Sequence, residues 1–422
     1  MSDIVLLDTE SDFDNIKCIS IPFNENVPEY YAISYRWGVH PEWKAQTPNY
    51  AASITSISKN NLIKLCQILR PKARYVWIDV VCINQADTYH RKMTIKNMDN
   101  IYRQSKRIIA IPDLCYCEEN PLMSWVTKQD IDWAANEISR HHNEVVRKTV
   151  GWYIRNRRIL SARGVLFIRN VIKAWACRCW VISERTIGVK QNKLDIIILR
   201  GNGTLVDYQH WKEQLNIDWN IDFDQATLIK TILNSASTKY IDRLFAILPH
   251  TKYRGVVRSL VDAGRIVDNM IDLKMTLLDI LDMEGKMILL RNILFDFRDL
   301  RFVLPSFSED RPPRLPFAYY AYPTYCCNIE TTIWDGKRAI KVSGPYVVKS
   351  SPTIFPNLMK FFGVKVRSEV DIIFEKRQAS YYVTSCESLQ FDNSSGFWVV
   401  DSMGHKEVLR YRRCRYGHFD IY

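Results

Sequence analysis

An α/β fold built on a parallel sheet is predicted for the N-terminal part of this 422-residue chain, followed by a helical middle and a β-rich end. Three observations predict it. Short β-prone apolar runs alternate with segments of helical period in the N-terminal part. From about residue 205 to 300 the apolar spacing is helical. Beyond the Pro-rich segment 311–316, turn dipeptides and β-branched runs take over.

The elements follow in order. Tyr30-Tyr31-Ala32-Ile33-Ser34-Tyr35 is a β-prone run that ends at Trp37-Gly38. Leu62, Leu65, Cys66 and Leu69 recur at helical spacing, and Pro71 stops that helix. Tyr75 to Val81 is an aromatic and β-branched run of the buried-strand type. Met98, Ile101, Tyr102 and Ser105 share a helix face, and Ile108-Ile109-Ala110-Ile111 is a third strand closed by Pro112. Strand, helix, strand, helix, strand implies parallel pairing with right-handed crossovers. An irregular or helical insertion is expected over about 115–170. It carries a basic cluster of Arg147, Lys148, Arg155, Arg157, Arg158, Arg163 and Arg169. The helical middle shows Leu228, Ile229, Ile232 and Leu233, then a second apolar pattern from Ile271 to Leu294. In the β-rich end, Ile333-Trp334 and Ala339 to Val342 flank the turn dipeptide Asp335-Gly336, and Tyr381 to Val383 and Phe397 to Val400 are further strands. The expected division is residues 1–200, 201–305 and 317–422.

Composition bounds the function. Hydrophobic residues are 47% and charged residues 25%, as in a soluble globular protein rather than a disordered one. The net charge of +12 and a pI near 9.1 suit a polyanionic partner, an anionic small ligand, or solubility alone. The basic run reads as a solvated helix face, and no nucleic-acid motif accompanies it. The eleven cysteines include no Cys-x-x-Cys, which argues against structural zinc. His141-His142 reads as solvated. The acidic N-terminus has no basic n-region or apolar core, and Gly164 to Ile182 is interrupted by Arg169, Lys173 and Arg178. No signal peptide and no membrane span are therefore expected, and the protein is expected in the cytoplasm with reduced thiols. No phosphate-binding loop, Gly-x-Ser-x-Gly or His-Glu-x-x-His occurs.

Three blocks carry a family resemblance. The first is Tyr31-Ala32-Ile33-Ser34-Tyr35-Arg36-Trp37-Gly38. The second is Trp77-Ile78-Asp79-Val80-Val81-Cys82-Ile83-Asn84-Gln85, followed by Asp87, Arg91, Met98 and Ile101-Tyr102. The third runs from Trp175 through Arg178 and Trp180 to Glu184. In this order they resemble the heterokaryon-incompatibility (HET) domain of filamentous fungi over roughly residues 28 to 190. Asp242 to Leu248 resembles a segment that often follows that domain. The chain departs from the family at His90-Arg91, where Glu-Arg is usual, and at Thr94-Ile95, where Gln-Val is usual. The resemblance implies a signalling protein of fungal non-self recognition and programmed cell death, a form of innate immunity. It also implies distant similarity to the TIR fold, a flavodoxin-like parallel sheet. In that comparison Glu184 stands where enzymatic TIR members carry the glutamate that hydrolyses NAD.

Ligands of open parallel sheets sit outside the carboxyl ends of the strands, where Ser34 to Gly38 and Asp79 to Gln85 fall. Cleaving the glycosidic bond of NAD builds positive charge on the ribose, which a fixed carboxylate stabilises. The resemblance gives that role to Glu184, with NAD as substrate and no resident cofactor or metal. Ser34, Tyr35, Arg36, Trp37, Gly38, Asp79, Asn84, Gln85, Arg178 and Trp180 are the expected lining. Trp180, four residues before Glu184, shares its helix face and packs beside the carboxylate or the base. Arg36 or Arg178 pairs with the pyrophosphate. A structural alternative stays open, in which Trp77, Trp175 and Trp180 are core, Asp79 caps a loop or pairs with Arg178, and a buried Arg178–Glu184 ion pair consumes both side chains. Cys82 lacks a histidine partner in the sequence and is not expected to be a nucleophile. A non-catalytic module that signals by self-association, or through an unknown protein partner, is the alternative function.

Overall fold

The computed structural model describes residues 3–12, 16–47, 49–116, 125–143, 161–206, 217, 219, 221–286 and 289, and seven strand segments between 328 and 421. The first strands are β1 (Asp3–Asp8), β2 (Cys18–Pro22), β3 (Tyr30–Tyr35) and the hairpin β4 (Trp43–Gln46) and β5 (Ala51–Ile54). Then come α1 (Lys59–Leu69), β6 (Tyr75–Trp77), α2 (Asp79–Cys82), α3 (Thr88–Gln104) and β7 (Arg107–Ile111). Helices α4 (Lys128–Asn143), α5 (Arg163–Ala176) and α6 (Cys179–Lys190) lead to β8 (Leu194–Ile198) and β9 (Thr204–Val206). Four more helices follow: α7 (Gln225–Asn234), α8 (Tyr240–Ile247), α9 (Arg254–Asp262) and α10 (Met270–Ile280).

One seven-stranded sheet has the order β2-β1-β6-β3-β7-β8-β9. Its inner four strands are parallel: β3 pairs with β6 through Tyr31↔Val76 and with β7 through Ile33↔Ile109, and β7 pairs with β8 through Ile109↔Asp195. In chain order the four read second, first, third, fourth, which is the flavodoxin-like arrangement. Their direction therefore reverses in chain order between β3 and β7, the position at whose carboxyl ends ligands of such sheets generally sit. The inner strands are apolar on both faces because helices cover both. Ala32 and Ile33 of β3 and Ile108 to Ile111 of β7 are all buried.

Antiparallel strands close both edges: β1 pairs with β6, β2 with β1, and β9 with β8. Strand β6 is shorter than its sequence suggests. The run to Val81 reads as strand, yet the strand ends at Trp77. The Ile78 carbonyl accepts from Val81 N at 3.1 Å and Cys82 N at 2.8 Å, which closes a helical turn. The Asp79 carboxylate accepts from Val80 N at 2.7 Å, satisfying an N–H that the strand ladder no longer pairs. Val80 and Val81 stay buried in that turn. The β-branched side chains thus serve the core without extending the sheet.

Helix α6 is apolar or buried nearly all round, with every residue from Val181 to Gly188 buried. It lies on β3, β7 and β8 and is flanked by α3, α5 and α8. The following helical segment grips it by backbone bonds: Cys179 N donates to Ala236 O at 2.9 Å and Ala236 N to Cys177 O at 2.8 Å. Asp99 on α3 pairs with Arg254 on α9 at 3.0 Å.

Strands β10 (Asn328–Trp334), β11 (Lys337–Lys349), β12 (Val366–Ser368), β13 (Gln378–Thr384), β14 (Glu387–Asp392), β15 (Phe397–Asp401) and β16 (Arg415–Ile421) make a second sheet. Its order is β12-β16-β11-β13-β14-β15, with β10 on β11. Trp334 faces Lys337 across the β10–β11 pair. The turn dipeptide 335–336 and the Pro-rich segment 311–316 lie outside the described residues, as do Arg147, Lys148, Arg155, Arg157 and Arg158. Arg163 and Arg169 lie on α5. Among the described residues no helix is long and apolar enough to cross a membrane.

Leu7 of β1 is fully buried opposite Val76, whereas Leu205 of edge strand β9 is 64% exposed. Leu7→Ala is expected to cost about 2–5 kcal/mol and Leu205→Ala less than about 0.5 kcal/mol in urea unfolding. Equal costs would show that β1 is no integral part of this sheet.

Candidate functional site

The site begins where β3 ends. Ser34 is fully buried, and its hydroxyl accepts from the Trp175 indole N–H at 3.0 Å. It donates its own proton to the Glu184 carboxyl, so α5, β3 and α6 are tied through one hydroxyl. Tyr102 of α3 lies on the other side, within hydrogen-bonding reach of Glu184. Its single hydroxyl proton goes to the Ile33 carbonyl at 3.0 Å, and a carbonyl can only accept. The phenol therefore offers Glu184 an oxygen, which suits a protonated carboxyl as donor. Trp77 packs edge-on against Tyr102 with ring centres 5.5 Å apart and fixes the phenol.

Burial pushes the Glu184 carboxyl up to about 8, and the neighbouring Asp79 pushes in the same direction, while Ser34, Tyr102 and Arg178 oppose them. Burial also raises Asp79, against the Tyr35 and Trp37 hydrogen bonds. The Trp37 indole donates to Asp79 Oδ2 at 2.8 Å, and that tryptophan is 42% exposed. The Tyr35 hydroxyl lies 3.1 Å from Ser56 Oγ and also meets Asp79. Arg178, at the N-terminus of α6, lowers the pKa of Tyr35, Asp79 and Glu184 alike, so its charge faces the whole cluster. Among the described residues no ion pair joins it to Glu184. The carboxyl is held by hydroxyls, and the buried ion pair that the sequence leaves open does not form.

Ser34, Tyr35, Trp37, Asp79, Arg178 and Glu184 thus meet at one place. Arg36 and Gly38 stand beside it. Arg36 donates to the Tyr116 hydroxyl at 3.1 Å. Gly38 closes against the loop after β7, where a Cβ would stand 2.6 Å from the Cys115 carbonyl, so a side chain there would push the two loops apart. Asn84 and Gln85 serve the entry to α3 instead. The Asn84 side chain accepts from Ala86 N at 3.2 Å, and the Gln85 carbonyl accepts from Arg91 at 3.4 Å. Trp180 also looks elsewhere. Its indole donates to Asp242 of α8, and it lines a small pocket with Ile95, Phe245 and Arg254.

Two contributors are not singled out as site residues in the sequence reading. Tyr102 stands there as a helix position within the second block, and Trp175 as the head of the third block and as core. The signal for both is polar capacity on a buried aromatic, which needs a partner somewhere. His250 is a third. It lies 2.7 Å from the Ser183 hydroxyl, next to Glu184, and burial pushes its pKa down to about 3, so it is neutral there.

Residues 30–184 match the family model described as heterokaryon incompatibility protein (HET). The match implies a part in heterokaryon incompatibility signalling. All three blocks, from the β3 strand to Glu184 itself, fall within it. Neither the curated proteins nor the solved structures include a match.

The raised carboxyl gives a signed expectation. Between the ordinary carboxyl pKa and about 8, the unfolded chain ionises at Glu184 while the folded chain keeps its proton. Folding is therefore penalised increasingly as pH rises through that window, by up to about 1.4 kcal/mol per pH unit, and the penalty is constant above it. Glu184→Gln mimics the neutral form, so its stability relative to the parent should climb from pH 5 to pH 8 in denaturant melts. A difference that is flat with pH would mean that Glu184 is ionised in the folded protein.

Proposed function

We propose that the Glu184 cluster is the active centre of a TIR-like NAD glycohydrolase that acts in incompatibility signalling and cell death. The observation that carries the reading is a buried carboxyl that no ion pair joins among the described residues. It is held by Ser34 at the carboxyl end of the first parallel strand, beside the point where the strand order reverses. A structural carboxyl of that depth is ordinarily held by a cation or by backbone N–H groups, as Asp113 is by Leu199 N and Arg200 N. This one takes two hydroxyls and leaves Arg178 unpaired among the described residues.

The chemistry breaks the bond between nicotinamide nitrogen and ribose C1′. The electron pair leaves with nicotinamide, positive charge spreads over C1′ and the ring oxygen, and water adds at C1′ with loss of a proton. An ionised Glu184 stabilises that charge. In the empty protein the group holds its proton, but the nicotinamide ring of NAD is a cation. Its arrival favours the carboxylate, so substrate charges the residue that acts on it. Arg178 and Arg36 are suited to the pyrophosphate, and Trp37, exposed at the rim, to stacking on a flat base.

Purified full-length protein is expected to release nicotinamide from NAD. Because kcat/KM reports the free enzyme, it should rise about tenfold per pH unit below 8 and level off above. Glu184→Gln should lose at least about a hundredfold. If the parent releases no nicotinamide between pH 6 and 9, the enzymatic reading fails. Concentration-dependent self-association in sedimentation would then favour the interaction module.

A further inference from the structure

We infer that a second site, a groove at the β7 and β8 strand ends, binds a small molecule bearing two or more phosphate groups. The groove encloses about 870 Å³, within the usual range for small-molecule clefts. It lies where β7 runs out at Asp113, where β8 runs out into Leu199 to Asn202, and at the first turn of α1. That position is outside the carboxyl ends of parallel strands, the general ligand position of open α/β sheets.

Its lining is cationic. Lys59, Lys64, Lys128 and Arg200 converge from three separate elements, against the two carboxylates Glu42 and Asp113. Asp113 offsets part of that charge, because Lys64 lies close enough to lower its pKa against the rise that burial causes. It is 1% exposed, and its oxygens accept from Leu199 N at 2.8 Å and Arg200 N at 2.9 Å, which also pins the loop that carries Arg200. Glu42 accepts from the Ser53 hydroxyl at 2.6 Å, and Lys128 shares Asp132 at 3.1 Å.

Helix α1 adds to the imbalance. Its first turn contains no acidic residue and starts with Lys59, so lysine sits at the positive end of the helix dipole. Ser58 satisfies only the Asn61 N–H, at 3.2 Å. Lys59 and Lys128 already have partners within the chain, so Lys64 and Arg200 are the cations that a bound polyanion would meet most directly. Neutral donors complete the lining. Tyr116 accepts from Arg36 and keeps its own hydroxyl proton to donate, and Asn60 and Asn202 carry amides. Cations spread around one cavity call for a ligand with more than one anionic group, since a single phosphate reaches one or two of them.

The inference does not rest on the NAD reading, because no residue of the Glu184 cluster lines this groove. Inorganic pyrophosphate is the probe, titrated calorimetrically into the full chain at fixed ionic strength. Saturable one-to-one binding is expected, with orthophosphate at least tenfold weaker. The double variant Lys64→Glu, Arg200→Glu should bind pyrophosphate at least tenfold more weakly, and Lys64→Gln, Arg200→Gln serves if charge reversal impairs folding. Glu184→Gln should bind like the parent, whatever its effect on NAD. Absence of saturable binding up to millimolar pyrophosphate, or unchanged binding in a folded double variant, overturns the inference. Equal affinity for orthophosphate overturns the requirement for two phosphates.

Discussion

The burial of helix α6 is the constraint on which the rest depends. A helix with no solvent face must be covered by the sheet on one side and by helices on the others. This one is, from Val181 to Gly188. A carboxyl in its middle cannot stay charged without compensation, because removing a lone charge from water costs several kcal/mol. The fold answers with a proton and with hydroxyl partners from β3 and α3. Ser34 in turn satisfies the Trp175 indole, so one hydroxyl settles two buried polar groups. The chemistry available at the site follows from that solution.

The helical segment after β9 enters the same argument. It holds α6 from outside by the backbone exchange between Cys177–Cys179 and Ala236, by Trp180 on Asp242, and by Ser183 against His250. Asp99 and Arg254 add a charged link from α3 to α9. Helix α6 is thus shared by the sheet and the helical segment. Its inner face carries Glu184 and its outer face carries the residues that receive the later helices. A shift of those helices would act on the carboxyl through the element that bears it.

Much of the fold is legible in the sequence, for particular reasons. Strands β3 and β7 are buried on both faces, so their apolar runs are continuous and stand out. Helix α1 shows its spacing because only one face is covered. The edges are less visible. Strand β1 reads Asp-Ile-Val-Leu-Leu-Asp inside an acidic terminus, and β4, β5 and β9 have only three or four residues each, too few for a period to emerge. Strand β6 misleads in the other direction. Its β-branched residues continue past the point where Asp79 turns the chain, and side-chain type alone does not report where the ladder stops.

By itself the sequence determined which polar groups stand just past the strand ends, and that Glu184 belongs with the blocks containing Ser34 and Asp79. These are matters of identity and spacing along the chain. Partners were decided only by the tertiary structure. Helical spacing gives Trp180 and Glu184 one face, yet Trp180 reaches Asp242 and Glu184 reaches Ser34, 150 residues away in sequence. Arg178 is six positions from Glu184 in the chain, yet a hydroxyl rather than the guanidinium takes the carboxyl. The groove of Lys59, Lys64, Lys128 and Arg200 has no trace in local sequence, because its members come from three elements. Periodicity fixes which way a side chain leaves its own helix. Packing fixes what it meets and how much water remains there, and so fixes its charge.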